Sequence, residues 1–218
     1  MLEISTYQDK DSWAGGYYEL AIELHPDGDT KRLINALEIL CGLDEVNELY
    51  ESELDYKVKA TVVPNSIDEE SSCRLYTTIN LPDNTIIGAV IIILRIEGEA
   101  DLISLSIPIG MLGRIYPIDY GTEFSINYKF NDWQKSFDEF LISIAEKLYI
   151  LEPFNLGTIG WEVLAEINQS EITASEIETA KTPILIPSDL DKELQVERKS
   201  AELANGLRLY LPIEEDIN

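Results

Sequence analysis

Residues 85–109 run TIIGAVIIILRIEGEADLISLSIPI, and this stretch decides the class of fold. Ile86, Ile87, Val90, Ile91, Ile92 and Ile93 leave no polar face, as in a strand covered on both sides. The run is rich in β-branched residues, which favour strands, and far short of the roughly 20 residues that a membrane-spanning helix needs. Gly98 marks a turn. Asp101–Ile109 then sets Leu102, Ser104 and Ser106 against Ile103, Leu105 and Ile107, the alternation of a strand with one wetter face. Upstream, Pro82-Asp83-Asn84 supplies a turn to a further strand at Cys73–Leu81. Tyr56–Val63, bounded by Pro64, gives a fourth. The expected core is a meander of four antiparallel strands with Thr85–Ile96 at its centre.

Working outward, YYELAIEL after Gly16 puts Tyr18, Leu20, Ile22 and Leu24 on one face and Tyr17, Glu19, Ala21, Glu23 and His25 on the other. That predicts a half-buried strand. Pro26 ends it, because the residue before proline avoids helical backbone. Asp29 is an N-cap for a helix over 30–41 with Leu33, Leu37 and Leu40 as its stripe, and Gly42 closes it. Residues 110–122 look like loop, with a short strand near Glu123–Phe130. The strongest helical pattern follows: Asn131 as cap, then Trp133, Phe137, Phe140, Leu141, Ile144 and Leu148 at three- and four-residue spacing. A helix with so apolar a face must lie on a sheet. Gly157–Ile167 predicts another strand, 168–183 a polar connector, Ile184–Ile186 a short strand, 189–204 a weakly amphipathic helix and Leu207–Leu211 a last strand. The class is α+β, mainly antiparallel sheet with two to three helices packed on it. Residues 1–168 form one α+β domain, and 169–218 a C-terminal extension packed on the same domain.

The charge narrows the choice of partners. The chain has 218 residues, with 41 acidic and 16 basic side chains and a formal charge of −25. The excess is shared: 21 acids against 7 bases in residues 1–109 leave −14, and 20 against 9 in 110–218 leave −11. Averaged over the surface, uncompensated charges stand about 20 Å apart, beyond the screening length of about 8 Å. Only local clusters can steer a partner. A phosphate backbone needs clustered lysine and arginine, so no nucleic acid is expected. Cys41 and Cys73 are expected as two free thiols in a reducing compartment. The amino terminus lacks the basic and apolar regions of a signal peptide. No membrane association and a cytoplasmic location are therefore expected.

His25 is the sole histidine. Sites that need two or three histidines on a metal are excluded within one chain, and neither a metal nor a cofactor is expected. Glu19, Glu23 and His25 share a strand face and form a weak candidate catalytic group, since a carboxylate two positions away can hold an imidazole. Asp27-Gly28-Asp29 lacks the later ligands of a calcium loop. Glu162 and Glu166, about 13 Å apart on a strand, are too far apart for a glycosidase pair. Neither 13–17 nor 110–114, both glycine-rich, opens a helix with a lysine, as a phosphate cradle requires.

The remaining signal is acidic. Asp44, Glu45, Glu48, Glu51, Glu53 and Asp55 place six acids in twelve residues without a base, interleaved with Leu49, Tyr50, Leu54 and Tyr56. Charge speeds encounter with a cationic surface, and tyrosine supplies contact area. The favoured expectation is a non-enzymatic acidic binding protein, an inhibitor or neutralising protein for a basic protein surface, acting through Asp44, Glu45, Glu48, Tyr50, Glu51, Glu53, Asp55 and Tyr56. One alternative is a small carboxylate-dependent enzyme, with or without a divalent metal, using Glu19, Glu23 and His25. Another is a structural or homo-oligomeric assembly subunit.

Overall fold

A computed structural model describes residues 9–53, 72–95, 98, 100–118, 131–164 and 169–213. Among the described residues the chain builds one antiparallel sheet of eight strands: β1 (Tyr17–Leu24), β2 (Ser72–Asn80), β3 (Ile86–Arg95), β4 (Asp101–Pro108), β5 (Leu156–Trp161), β6 (Ile184–Pro187), β7 (Ala201–Glu202) and β8 (Leu207–Tyr210). Their order across the sheet is β2-β3-β4-β1-β5-β6-β8-β7. The helices are α1 (Thr30–Cys41), α2 (Ile109–Leu112), α3 (Asp132–Leu151), α4 (Ala174–Thr179) and α5 (Ser188–Leu194), with a 3-10 turn at Lys10–Trp13. The α+β class and the meander β2-β3-β4 are as expected from the sequence. The expected strands Tyr56–Val63 and Glu123–Phe130 lie outside the described residues.

Each face of the sheet follows from a strand's period of two. Tyr18, Leu20, Ile22 and Leu24 turn to the face covered by α1 and α3, where Leu33, Leu37, Leu40, Phe137, Leu141, Ile144 and Leu148 complete the main core. Asp29 caps α1 by accepting from the Arg32 amide at 3.1 Å. Asn131 precedes α3 but spends its Oδ1 on the Trp133 indole N–H at 3.2 Å and makes no side-chain cap bond. A buried polar link ties α3 to the sheet: the Tyr18 hydroxyl donates to Asp138 Oδ1 at 2.6 Å and accepts from Gln134 Nε2 at 2.9 Å. At the far end of the β3–β4 hairpin, Arg95 grips Asp101 with two bonds of 2.7 and 2.9 Å and reaches Thr30 Oγ1 at 2.9 Å.

The opposite face is also covered, which corrects two expectations. β1 is not half-buried: it lies at the middle of the sheet, and Glu19 and Glu23 are each 2% exposed. β4 has no wetter face, since Ser104 and Ser106 are fully buried. β3 is covered on both faces, as its composition demands, but stands one strand in from β2 and not at the centre. On this second face Leu156, Ile184, Ile186 and Tyr210 pack with Ile172, Ile177 and Ala180 in a separate apolar cluster.

Three further boundaries differ from expectation. The connector 168–183 contains α4, opened by a capping box between Thr173 and Glu176. The helix expected over 189–204 stops at Leu194, where Gln195 turns left-handed at φ 57°. The strand expected over 157–167 ends at Trp161, where Glu162 takes φ 51°. Residues 201–202 pair instead as β7 with β8.

Candidate functional site

Gly42 ends α1, and the acidic segment that follows is neither helix nor free loop. It lies antiparallel along the outer edge of β2, bridged at Val46–Ile79 and Tyr50–Tyr76. The Asn47 amide donates to Thr78 O at 2.9 Å, and Tyr50 and Tyr76 exchange both backbone bonds at 2.7 and 3.0 Å. Asn80 reinforces the attachment: its amide donates to Glu45 O and its Nδ2 to Asp44 O. An edge strand leaves unpaired backbone groups, so the segment both satisfies β2 and is held by it.

This attachment sorts the expected binding residues. Asp44, Glu48 and Glu51 are exposed. Tyr50 is half-buried. Glu45 turns toward α3, where its Oε1 takes the Lys147 ammonium, while its Oε2 is buried without a hydrogen-bond partner. Glu53 turns to the Tyr76 phenol; burial, then that carboxylate, push the phenol up to about 12. Asp55 and Tyr56 lie outside the described residues. The fold therefore separates the five described acids: Asp44, Glu48 and Glu51 are exposed, Glu45 is paired with a lysine and Glu53 is bound to a tyrosine.

Beside the segment runs an open groove of about 540 Å³ between α3 and the β2–β3 turn. Asp44, Glu45 and Glu139 line it together with Leu81, Pro82 and Phe140. Glu139 and Phe140 are missed as site residues in the sequence, because their helical stripe accounts for Phe140 as core and leaves Glu139 as one more surface acid. Only the fold sets them against residues 44–45.

The structure brings Glu23 and His25 together, while Glu19, four residues back on the same strand, stands about 13 Å away, and the carboxylates are already in use as acceptors. Glu19 Oε2 accepts from Ser106 Oγ at 2.7 Å, and its Oε1 from the Leu164 amide at 2.8 Å. Both Glu23 oxygens accept from the Gln169 amide, at 3.0 and 2.9 Å, and Oε1 also meets His25 Nε2. The cavity beside Glu23 holds about 10 Å³, room for about one water. Two buried carboxylates thus hold the backbone that follows β5 against the sheet. Glu162 serves the same junction, its Oε1 accepting from the Tyr17 amide at 2.7 Å; Glu166 lies outside the described residues.

Among the described residues no group of three or more histidine, cysteine, aspartate or glutamate side chains could hold a metal ion. No helix among them is long and apolar enough to cross a membrane. Cys41 and Cys73 are unbridged, and burial raises both thiols, Cys41 to about 11. A thiol held protonated is a poor nucleophile. No protein-family model, no curated protein and no solved structure matches the chain.

Proposed function

We propose that the chain is a non-enzymatic acidic binding protein that captures a basic protein surface through the segment Asp44–Glu53 on the edge of β2. The observation that carries this reading is the exposure of Asp44, Glu48 and Glu51 on backbone that β2 holds in place. At about 3.3 Å per extended residue Glu48 and Glu51 stand about 10 Å apart, close to the screening length of about 8 Å. Their fields overlap where an evenly spread charge would not. Fixed charges also spare a partner the entropy of ordering a loop. Tyr50, half-buried between them, offers contact area. The two unbridged cysteines fit a reducing compartment, and the cytoplasm is the proposed location.

The test starts from a partner recovered from cell extract on the immobilised full-length chain. Its association rate is followed by stopped flow across a range of KCl concentrations. The rate should fall steeply with salt, and the triple variant Asp44→Asn/Glu48→Gln/Glu51→Gln should lower it by about tenfold or more at low salt, with little change in dissociation. An association rate indifferent to salt and to the triple variant would overturn the reading.

A further inference from the structure

We propose that the groove between α3 and the β2–β3 turn is the docking site for an extended lysine- or arginine-bearing segment of a partner protein. This inference rests on the reading of the chain as a binder of basic surfaces and names where the basic side chain goes. Leu81, Pro82 and Phe140 give the groove apolar surface, and Asp44, Glu45 and Glu139 line it with carboxylates among asparagine and serine side chains. Lysine and arginine lay an aliphatic stem on apolar surface and keep a charged head at its edge, and arginine also stacks on an aromatic face. The apolar lining and the carboxylates match those two parts.

The chain itself supplies an example of the pairing. Lys147 Nζ from α3 sits on Oε1 of Glu45, which lines the groove. Three carboxylates against one ammonium leave an excess of negative charge there. Among the described residues no cation stands within ion-pair distance of the Asp44 or Glu139 carboxylates. An incoming cation would therefore be met by those two and need not displace Lys147.

The shape selects a segment over a small molecule. A small-molecule site encloses most of its ligand, whereas this groove is open along its length and offers about 540 Å³. Charge selects against a second copy of the chain, because the protein carries −25 and like fields repel.

The experiment uses the full chain and a fluorescein-labelled dodecapeptide in which arginines alternate with leucine and serine. A second peptide replaces each arginine with citrulline, which keeps the shape and loses the charge. Binding is read by fluorescence anisotropy, and the mass of the free protein by sedimentation. The arginine peptide should bind, the citrulline peptide about tenfold more weakly or worse. Ser143→Trp, which fills the groove from α3, should weaken the arginine peptide by about tenfold or more, as blocking a central pocket does. Glu139→Gln should weaken it by about two- to fivefold, the scale of one exposed ion pair. If Ser143→Trp melts early, Ser136→Trp, about two turns earlier on the same side of α3, takes its place. Unchanged affinity in the groove-filled variant overturns the inference. If Asp44→Asn/Glu48→Gln/Glu51→Gln still weakens the peptide in that case, the edge-segment reading survives. Equal binding of the citrulline peptide, no binding of the arginine peptide, or a dimer that the tryptophan dissociates would each overturn the groove as a cation site for a partner.

Discussion

Gly16 shows how much one position can carry. It sits at φ +78°, and a Cβ there would stand well inside van der Waals contact of Glu162 Oε1, the atom that accepts the Tyr17 amide. Gly16→Ala therefore meets two costs, left-handed backbone and collision with a bonded carboxylate, together about 1 to 3 kcal/mol. The urea midpoint should drop accordingly, and Gly16→Ala/Glu162→Ala should not restore it, since the second change removes the collision but leaves the backbone cost and frees the amide. An unchanged midpoint in the single variant would contradict this account. Arg95 and Asp101 give the second expectation at this scale. They are about as buried as charges become, 4% and 1% exposed. Asp101→Asn strips the charge from the carboxylate that accepts two guanidinium bonds and leaves a buried cation less compensated in low dielectric, a loss of about 3 to 5 kcal/mol. Asp101→Leu/Arg95→Met removes both charges and should recover much of that loss, because apolar side chains of similar volume often replace a buried pair without penalty. Chemical denaturation of the two variants side by side separates the cases: equal destabilisation would mean that the pair acts through packing alone.

At the level of elements, legibility tracked whether the signal was local. The stripe Trp133–Leu148 predicts α3 because burial at three- and four-residue spacing is a property of the helix itself. The β2–β3–β4 run was equally readable, since β-branched residues and a Pro-Asp-Asn turn act within a few positions. The second face of β1 was not. Glu19 and Glu23 alternate with apolar residues as solvent-facing acids do, and nothing nearby shows that amides 145 and 146 residues away will satisfy them. A capping box at Thr173-Ala174-Ser175-Glu176 is a written signal for α4 that the polar composition of 168–183 masked. The end of α5 has no such signal, because Gln195 takes left-handed backbone without being glycine or asparagine. The clasp by Glu23 makes a local prediction. A hydrogen bond to an ionised group contributes about 1.5 to 3 kcal/mol, so Glu23→Ala should speed hydrogen exchange at the Gln169 amide by about ten- to a hundredfold. The Ile159 amide, bonded to Pro183 O and not to a side chain, should keep its protection. Equal acceleration at both amides would mean that the carboxylate supports the whole sheet and not this clasp.

For the whole molecule, the acid excess is plain in the sequence, but the sequence could not say which acids remain outside. Pairing of Glu45 with Lys147 and turning of Glu53 to Tyr76 depend on α3 and β2 arriving beside the segment, contacts that join residues about a hundred and about twenty positions apart. The groove at Glu139 has the same origin. The folded state also has a pH dependence that composition alone conceals. Burial raises the Cys41 thiol from 9.0 to about 11, and it raises the Tyr76 and Tyr210 phenols from 10.0 to about 12, with Glu53 and Asp191 carboxylates adding to the two phenols. All three are acids that fold in the neutral form. Below about pH 9 both states hold these protons, and the groups contribute no slope. Between about pH 9 and 12 the unfolded chain has released protons that the folded chain still binds, so each step upward in pH favours unfolding. The urea midpoint should hold from about pH 7 to 9 and then fall progressively through about pH 12. Tyr210→Phe keeps the ring among Leu156, Ile184 and Ile186 and removes one titrating group. It should lower the midpoint at neutral pH by the lost bond to Asp191, yet make the fall above about pH 10 shallower. Parallel curves for the two proteins over that range would show that the Tyr210 proton is not one the fold retains.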